Sequence, residues 1–515
     1  MYHKVLAAIL ILAAVVYVAS FGSSVGHSID DGIHIVAAKA LALGEGLVMI
    51  SDPASPPATQ FPPAHSLFLV PVLLLFPDPP ESTIPLQVVS ALFALIFVLI
   101  SWFWLRRYVP PATALLMTGL VAFNPETVRF AGAVMAEMGY AATSMAALLF
   151  FEKATEDREQ RPGYNMLLLV TVMMTMAYLF RSVGIALLLA LPGLFILKRR
   201  IGRAGSLIIG FLILASPWLF KSAFIGTPEY RTQFWLLDLE NPTSGLIDIW
   251  GLFDRMWING VTYATTTLPN HLLATLGSQR IIQYSEQLGI SLLLLMIQLT
   301  VTALVLIGFI RQLRSGLRGV ELYMLVYGGM LLIWHTRIQW KYLAPITPIL
   351  LLYIYTGSRY MAERIISRDW ARRMVYAFLC LMMVGAGFRV ADVVQQGWLV
   401  QGKEDPYAKA YGWLKRETTE NSLLMGFDHL GLYLYTGRKA LAPAMTRDPQ
   451  GALEYIDRTG ADYFVVQPRK TRNEGESFDV KFQDPVLEQY PERFSLEFTD
   501  SPNAITIYRI HAPSP

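Results

Sequence analysis

The strongest constraint on this chain is a series of long apolar runs. They lie near residues 4–21, 83–105, 111–124, 131–151, 164–180, 182–198, 204–223, 289–310, 320–334, 342–358 and 373–390. A helix crosses a bilayer with about 20 apolar residues, within a range of roughly 17–25. The chain is 54% hydrophobic and 16% charged, with a mean hydropathy of +0.42. Soluble globular chains carry about 25% charged residues. The reading is a polytopic α-helical membrane protein of about 11 transmembrane helices. A further run, 64–77, is short and fenced by Pro62, Pro63, Pro71, Pro77, Pro79 and Pro80. Proline interrupts a straight helix, so this run is expected to lie along or dip into the outer face.

Charge between the runs assigns sides, because short cytoplasmic loops collect Lys and Arg. The rich loops hold Arg106–Arg107; Lys153, Arg158 and Arg161; Lys198, Arg199, Arg200 and Arg203; Arg311, Arg314 and Arg318; and Arg359, Arg364, Arg368, Arg372 and Arg373. The poor ones hold Arg129, Arg181, or Arg337 with Lys341. Rich and poor alternate without a break if 64–77 does not cross. The N-terminus is then cytoplasmic, in agreement with Lys4. A cleaved signal peptide is the other reading of residues 1–21, but the run is long for one and no clear A-x-A site follows. The expected division is a transmembrane domain over 1–395, with outer loops at 22–82 and 224–288, and an extracytoplasmic α/β domain over 396–515. The first outer loop should carry juxtamembrane helices.

Several classes drop out. The net charge of +3 comes with no polybasic tail or basic-aromatic stripe, so no nucleic-acid partner is expected. Cys380 is the only cysteine, which leaves no intramolecular disulfide. No glycine-rich phosphate loop occurs, and no cytoplasmic loop could hold a nucleotide domain. An ATP-driven pump within this chain is excluded.

After residue 400 the composition becomes ordinary. Pro406 to Glu417 reads as a helix, SLLMGF as a strand, HLGLYLYTGR as a helix closed by a glycine turn, and KALAP as a strand. DPQGALEYIDRTG reads as a helix ended by Gly460, ADYFVV as a strand, and RFSLEF with AITIYRI as a hairpin. Asp428 beside His429 is a polar pair, but a helix start is the preferred reading.

Ionisable groups at the outer side are the candidates for chemistry. Asp30 and Asp31 follow the first span. One is expected to cap the helix over 32–43, since Asp suits the N-cap and the positive helix end. A cap needs only one acid, and the other is free to serve as a general base toward a hydroxyl or amine. Glu137 has apolar flanks on both sides, so it should turn inward and meet a cation or a substrate group. Arg129 sits at the rim. Arg181, Lys221, Arg337 and Lys341 each break or end an apolar run. Any one could be snorkelling to the interface. Together they suit a phosphate-bearing ligand, which Arg grips with a bidentate fork and Lys with a point charge. His34 and His65 could join the acids around a divalent metal, though no ligand spacing supports a metal site.

These features in order resemble the membrane-embedded glycosyltransferases of the C-type fold, which include the protein O-mannosyltransferases and the lipid A aminoarabinose transferases. DDGIHIVAAKALALGEG is similar to their acidic pair with its juxtamembrane helix, and QFPPAHSLFLVP to their double-proline segment. RFAGAVMAEM, FRSVGIALLLALP, SPWLFKSAFIGTP and KYLAPITPILLL resemble four later segments, and YGWLKRETTENSLLMGFDHLGLYLYTGR the outer soluble domain. Asp31 stands where Glu is usual and Ser182 where Pro often does. The resemblance implies a bacterial plasma-membrane enzyme that moves a sugar from a polyprenyl-phosphate donor to a lipid, glycan or protein acceptor. It implies Asp30 as the base, with inversion at the anomeric carbon, and Asp31 orienting it or binding the acceptor. It also implies Arg181, Lys221, Arg337 and Lys341 on the leaving phosphate, with Glu137, Arg129 and His65 as substrate contacts. The competing classes are a flippase for lipid-linked sugars, which predicts inverted repeats, and a non-catalytic membrane subunit. No internal repeat is visible.

Overall fold

The computed structural model describes residues 1–156, 164–225, 233–237, 245–335, 340–401, 407–468 and 477–512. The chain divides into two compact units. One comprises 1–21, 59–65 and 87–398; the other comprises 22–58, 66–86 and 399–515.

The first part of the chain forms ten helices: α1 (Tyr2–Ala19), α2 (Ile29–Ala42), α3 (Ala64–Leu75), α4 (Thr83–Leu105), α5 (Pro111–Ala122), α6 (Pro125–Gly132), α7 (Glu137–Glu156), α8 (Tyr164–Phe180), α9 (Ile185–Leu197) and α10 (Ile201–Phe224). Each apolar run overlaps a helix, but several are interrupted by breaks or 3-10 turns. Among the described residues, five helices are long and apolar enough to cross a membrane: α1, α4, α10, Ser291–Arg314 and the stretch Arg368–Gln395. Helices α6 and α7 pass the same test together but bend by 119° at the break between them. The run expected at 131–151 is therefore not one helix. Asn124 caps α6 through the Glu126 N–H, and the chain turns before α7 begins at Glu137. Five shorter apolar helices, α3, α5, α8, α9 and Gly319–Ile333, accompany the long ones. Pro71 lies inside the twelve-residue α3.

In an apolar solvent, helices associate through close packing rather than water exclusion, and small residues let backbones approach. The tightest crossing is between Ser291–Arg314 and Thr347–Ala362. A Cβ at Gly308 would lie 1.8 Å from the Tyr353 carbonyl oxygen, and one at Gly357 would lie 1.9 Å from that of Leu304. Backbone cannot move aside as a side chain can. Gly308→Leu or Gly357→Leu is therefore expected to cost more than the roughly 1–3 kcal/mol of ordinary overpacking. The expected readout is a sharp loss of monodisperse protein in detergent and a lower melting temperature. Gly328→Ala, which meets nothing within 4 Å, should melt like the parent protein.

A charged network ties the connection after α4 to α7 and to the start of Gly319–Ile333. Tyr108 donates to Glu152 Oε1 at 2.5 Å, and Arg107 Nε lies 3.5 Å from Glu152 Oε2. Arg318 pairs with the fully buried Glu321 and covers the Tyr108 ring at 4.7 Å.

The other unit is built on a five-stranded sheet in the order β2-β1-β3-β5-β4. The strands are β1 (Leu424–Gly426), β2 (Ala440–Leu441), β3 (Tyr463–Val466), β4 (Phe494–Asp500) and β5 (Ile505–Ile510). β1 runs parallel to β2 and β3, while β5 is antiparallel to β3 and β4. Helices Ala408–Glu417, His429–Thr436 and Pro449–Thr459 fill the connections, and the last two end on Gly437 and Gly460 at φ 76° and 67°. Within this unit α2 lies on His429–Thr436. The contact needs Gly32, where a Cβ would come within 2.7 Å of Leu430.

Candidate active site

The acidic pair sits in the first turn of α2. The N-cap is Ser28, not an aspartate, and the helix starts at Ile29 rather than at residue 32. Asp31 completes a capping box, in which the side chain at the third helical position reaches back to the N-cap. Its carboxylate accepts from the Ser28 N–H at 2.9 Å, the Ser28 hydroxyl at 2.7 Å and the Gly26 N–H at 2.9 Å. Burial pushes the Asp31 carboxyl above the ordinary aspartate range, against the pull of these donors and of His27. Asp31 is thus held in place. Asp30 is half-buried and outside the capping box.

The segment before α2 is fixed by a group that the sequence reading passed over. His27 Nδ1 lies 2.6 Å from Asp428 Oδ2, and the Tyr411 hydroxyl donates to the same oxygen. The His27 ring stacks on Tyr435 at 5.2 Å and meets Tyr407 at a tilt at 4.7 Å. Tyr435 also accepts from Val25 N–H and donates to its carbonyl. Asp428 does stand at a helix start, but its side chain makes no cap bond. Lys39, further along α2, pairs with Asp78 and lies 5.2 Å from the Tyr433 ring. The only hint in the sequence was the histidine one residue before Ser28.

In the other unit, Glu137 opens α7 and is 1% exposed, as its apolar flanks require. It meets a cation: Arg181 Nη1 lies 2.5 Å from Glu137 Oε1. Arg181 occupies the gap between α8 and α9. It is extended, at φ −146° and ψ 133°, and a 3-10 turn over Ser182–Gly184 follows. Gly184 makes this break possible, since a Cβ there would come within 2.5 Å of the Tyr178 nitrogen. Gly139 allows Phe180 to press on α7, where a Cβ would come within 2.3 Å of the ring. Glu137 Oε2 is buried and has no hydrogen-bond partner among the described residues. A buried acceptor left open is costly, and it is an open place for a ligand donor.

The Tyr140 and Tyr323 hydroxyls lie 2.8 Å apart, and Tyr327 donates to the Tyr342 carbonyl at 2.7 Å. Arg181 acts electrostatically on both Tyr140 and Tyr327. Tyr327 thereby pins the backbone beside Lys341, whose ammonium lies 5.7 Å from the Tyr342 ring.

The other expected residues of this unit lie on several of its elements. Arg129 is half exposed, 3.6 Å from Glu126. Lys221 lies in the last turn of α10. His65 is fully buried, with its ring 6.4 Å from that of Phe180. Arg337 lies outside the described residues. His34, in the α2 unit, bonds Ser66 at 3.2 Å. Among the described residues no group of three or more His, Cys, Asp or Glu side chains is placed to hold a metal ion.

No family model matches this sequence, and no curated protein does. Solved structures do. ArnT from Cupriavidus metallidurans bound to undecaprenyl phosphate aligns with a TM-score of 0.61 at 14% identity, over 98% of this chain and 98% of that one. The apo state of the same ArnT gives 0.58 at 16%, over 98% and 97%. The chain has the C-type fold of membrane glycosyltransferases. The archaeal oligosaccharyltransferase AglB from Archaeoglobus fulgidus, in complex with an inhibitory peptide and a dolichol-phosphate, shares it. AglB aligns with a TM-score of 0.57 at 12% identity, over 99% of this chain and 75% of that one. At such identities the likeness fixes the C-type fold alone and leaves the chemistry to the residues.

Proposed function

We propose that this protein is a glycosyltransferase that moves a sugar from a polyprenyl-phosphate donor to an acceptor at the outer face of a bacterial plasma membrane. The observation that carries the reading is the end-to-end likeness to ArnT, a protein captured with undecaprenyl phosphate. The proposed topology has about eleven spans, a cytoplasmic N-terminus and an extracytoplasmic C-terminal domain.

Asp30 is the proposed general base. Asp31 is held in the capping box, and Asp30 stands beside it in the same helical turn. It takes the proton from an acceptor hydroxyl or amine as that group attacks the anomeric carbon. The bond to the lipid phosphate breaks, and the configuration inverts. Asp31 sets the first turn of α2 and so the direction of Asp30. Charge grows on the leaving phosphate, where fixed donors lower the barrier most. Arg181, Lys221, Lys341 and Arg337 are the proposed phosphate contacts. Glu137 orients Arg181 through Oε1 and offers Oε2 to a substrate hydroxyl. Arg129 and His65 are further proposed substrate contacts.

The test is incubation of the purified protein, in liposomes, with a panel of polyprenyl-phosphate sugars and candidate acceptors. Release of polyprenyl phosphate coupled to a glycosylated acceptor is expected for at least one donor. Binding of donors without turnover across the panel, together with their movement between leaflets, would favour the flippase instead.

A further inference from the structure

The helix Ile249–Thr262 has its polarity inside out. Its polar residues Arg255 and Asn259 are 4% and 0% exposed. Arg255 donates to the carbonyls of Phe234 and Leu236 at 2.7 and 2.9 Å, and Asn259 to those of Leu332 and Trp334 at 2.8 Å each. The opposite face carries Trp250 at 72% exposure, Trp257 at 74%, Phe253, Ile258 and Val261. In water this arrangement is unfavourable by about 25 cal/mol for each Å² of apolar surface left exposed. In lipid it is the favourable one. The helix continues through the π-helical turn Tyr263–Thr267 into Leu268–Leu272, and that end is anchored in the bundle. There Thr302 donates to the Ala264 carbonyl at 2.6 Å, and His271 bonds Thr347 at 2.8 Å.

We infer that this face is seated in the bilayer, so that part of the segment read from the sequence as a long aqueous loop is membrane-immersed. The occupant is lipid rather than a second protein. Two tryptophans, Trp250 and Trp257, lie within the apolar stripe, and tryptophan is enriched at membrane interfaces. Asp254 is exposed on the same side, four residues from both Trp250 and Ile258, while Arg255, the basic residue of this helix, is turned inward. The acid sets the depth at the headgroup boundary, where interfacial helices bury about 5–10 Å. Apolar area provides the attraction, so anionic lipids add nothing. The inference is independent of the catalytic reading.

The test places spin labels on the full-length protein in liposomes. Cys380 is replaced by serine, and Trp250→Cys, Trp257→Cys and Ile258→Cys are labelled one at a time. Leu292→Cys, on the exposed face of Ser291–Arg314, serves as the lipid reference, and exposed Lys415→Cys as the water reference. Labels at 250, 257 and 258 should collide with oxygen more often than with a water-soluble nickel chelate, as at 292 and opposite to 415. The balance should not change when anionic lipid is added. Nickel collisions as frequent as at 415 would put the face in water. Shielding from both reagents would mean that another protein surface covers it. Either result overturns the inference.

Discussion

Arg181→Ala is expected to destabilise the protein by about 3–5 kcal/mol and to abolish donor turnover. Breaking a buried pair strands the remaining charge, and that stranded charge is the larger part of the cost. Glu137 is 1% exposed and would lose the guanidinium 2.5 Å away. Replacing both partners by apolar groups of similar volume often costs little. Arg181→Met with Glu137→Leu should therefore recover most of the melting temperature. It should not recover activity, because the proposed phosphate contact and the open Oε2 acceptor are both gone. If the pair were only a structural clasp, the double variant would regain both. Thermal melting and donor turnover on the three proteins separate the two roles.

The second large effect falls on the acidic pair. Asp30→Asn should reduce turnover by a factor of about a hundred or more, the range for loss of a general base. Its melting temperature should stay near that of the parent, since the capping box is made by Ser28 and Asp31. Asp31→Ala should show the reverse weighting. It removes one partner of the box and leaves the Ser28 and Gly26 N–H groups without their acceptor, at about 0.5–2 kcal/mol for a cap. Some activity should survive, because the base itself is intact. Equal losses of activity at both positions, with no difference in melting, would count against the division of labour drawn here.

Much of the fold was legible because local chemistry decided it. The glycines after YLYT and DRT are left-handed helix ends in the structure, as their positions imply, and TDSPN does join an antiparallel pair. The apolar flanks of Glu137 announced a buried acid needing a cation. What stayed hidden depends on a partner distant in sequence. Gly308 and Gly357 look like any glycine in a span until two backbones are seen to cross. Gly32, inside the DDG stretch, answers to Leu430 nearly four hundred residues away. His27 shows no partner in the sequence, since Asp428 lies about four hundred residues away, and a lone Asp at a helix start reads as a cap because capping is its usual role there. The break at Arg181 is intermediate. FRSVG showed an interruption between two apolar runs, but the need for Gly184 against the backbone of Tyr178 is a tertiary fact. In the same way, two aspartates in a row suggested a cap, while the serine that holds the cap position was overlooked.

The most direct measurement follows the anomeric carbon. Polyprenyl-phosphate sugars labelled with carbon-13 at that atom are incubated with acceptor and either the parent protein or Asp30→Asn. In the parent, the label of at least one donor should leave the lipid and appear on the acceptor with inverted configuration, while in Asp30→Asn it should stay on the lipid. Retained configuration, or equal transfer by both proteins, would contradict the account.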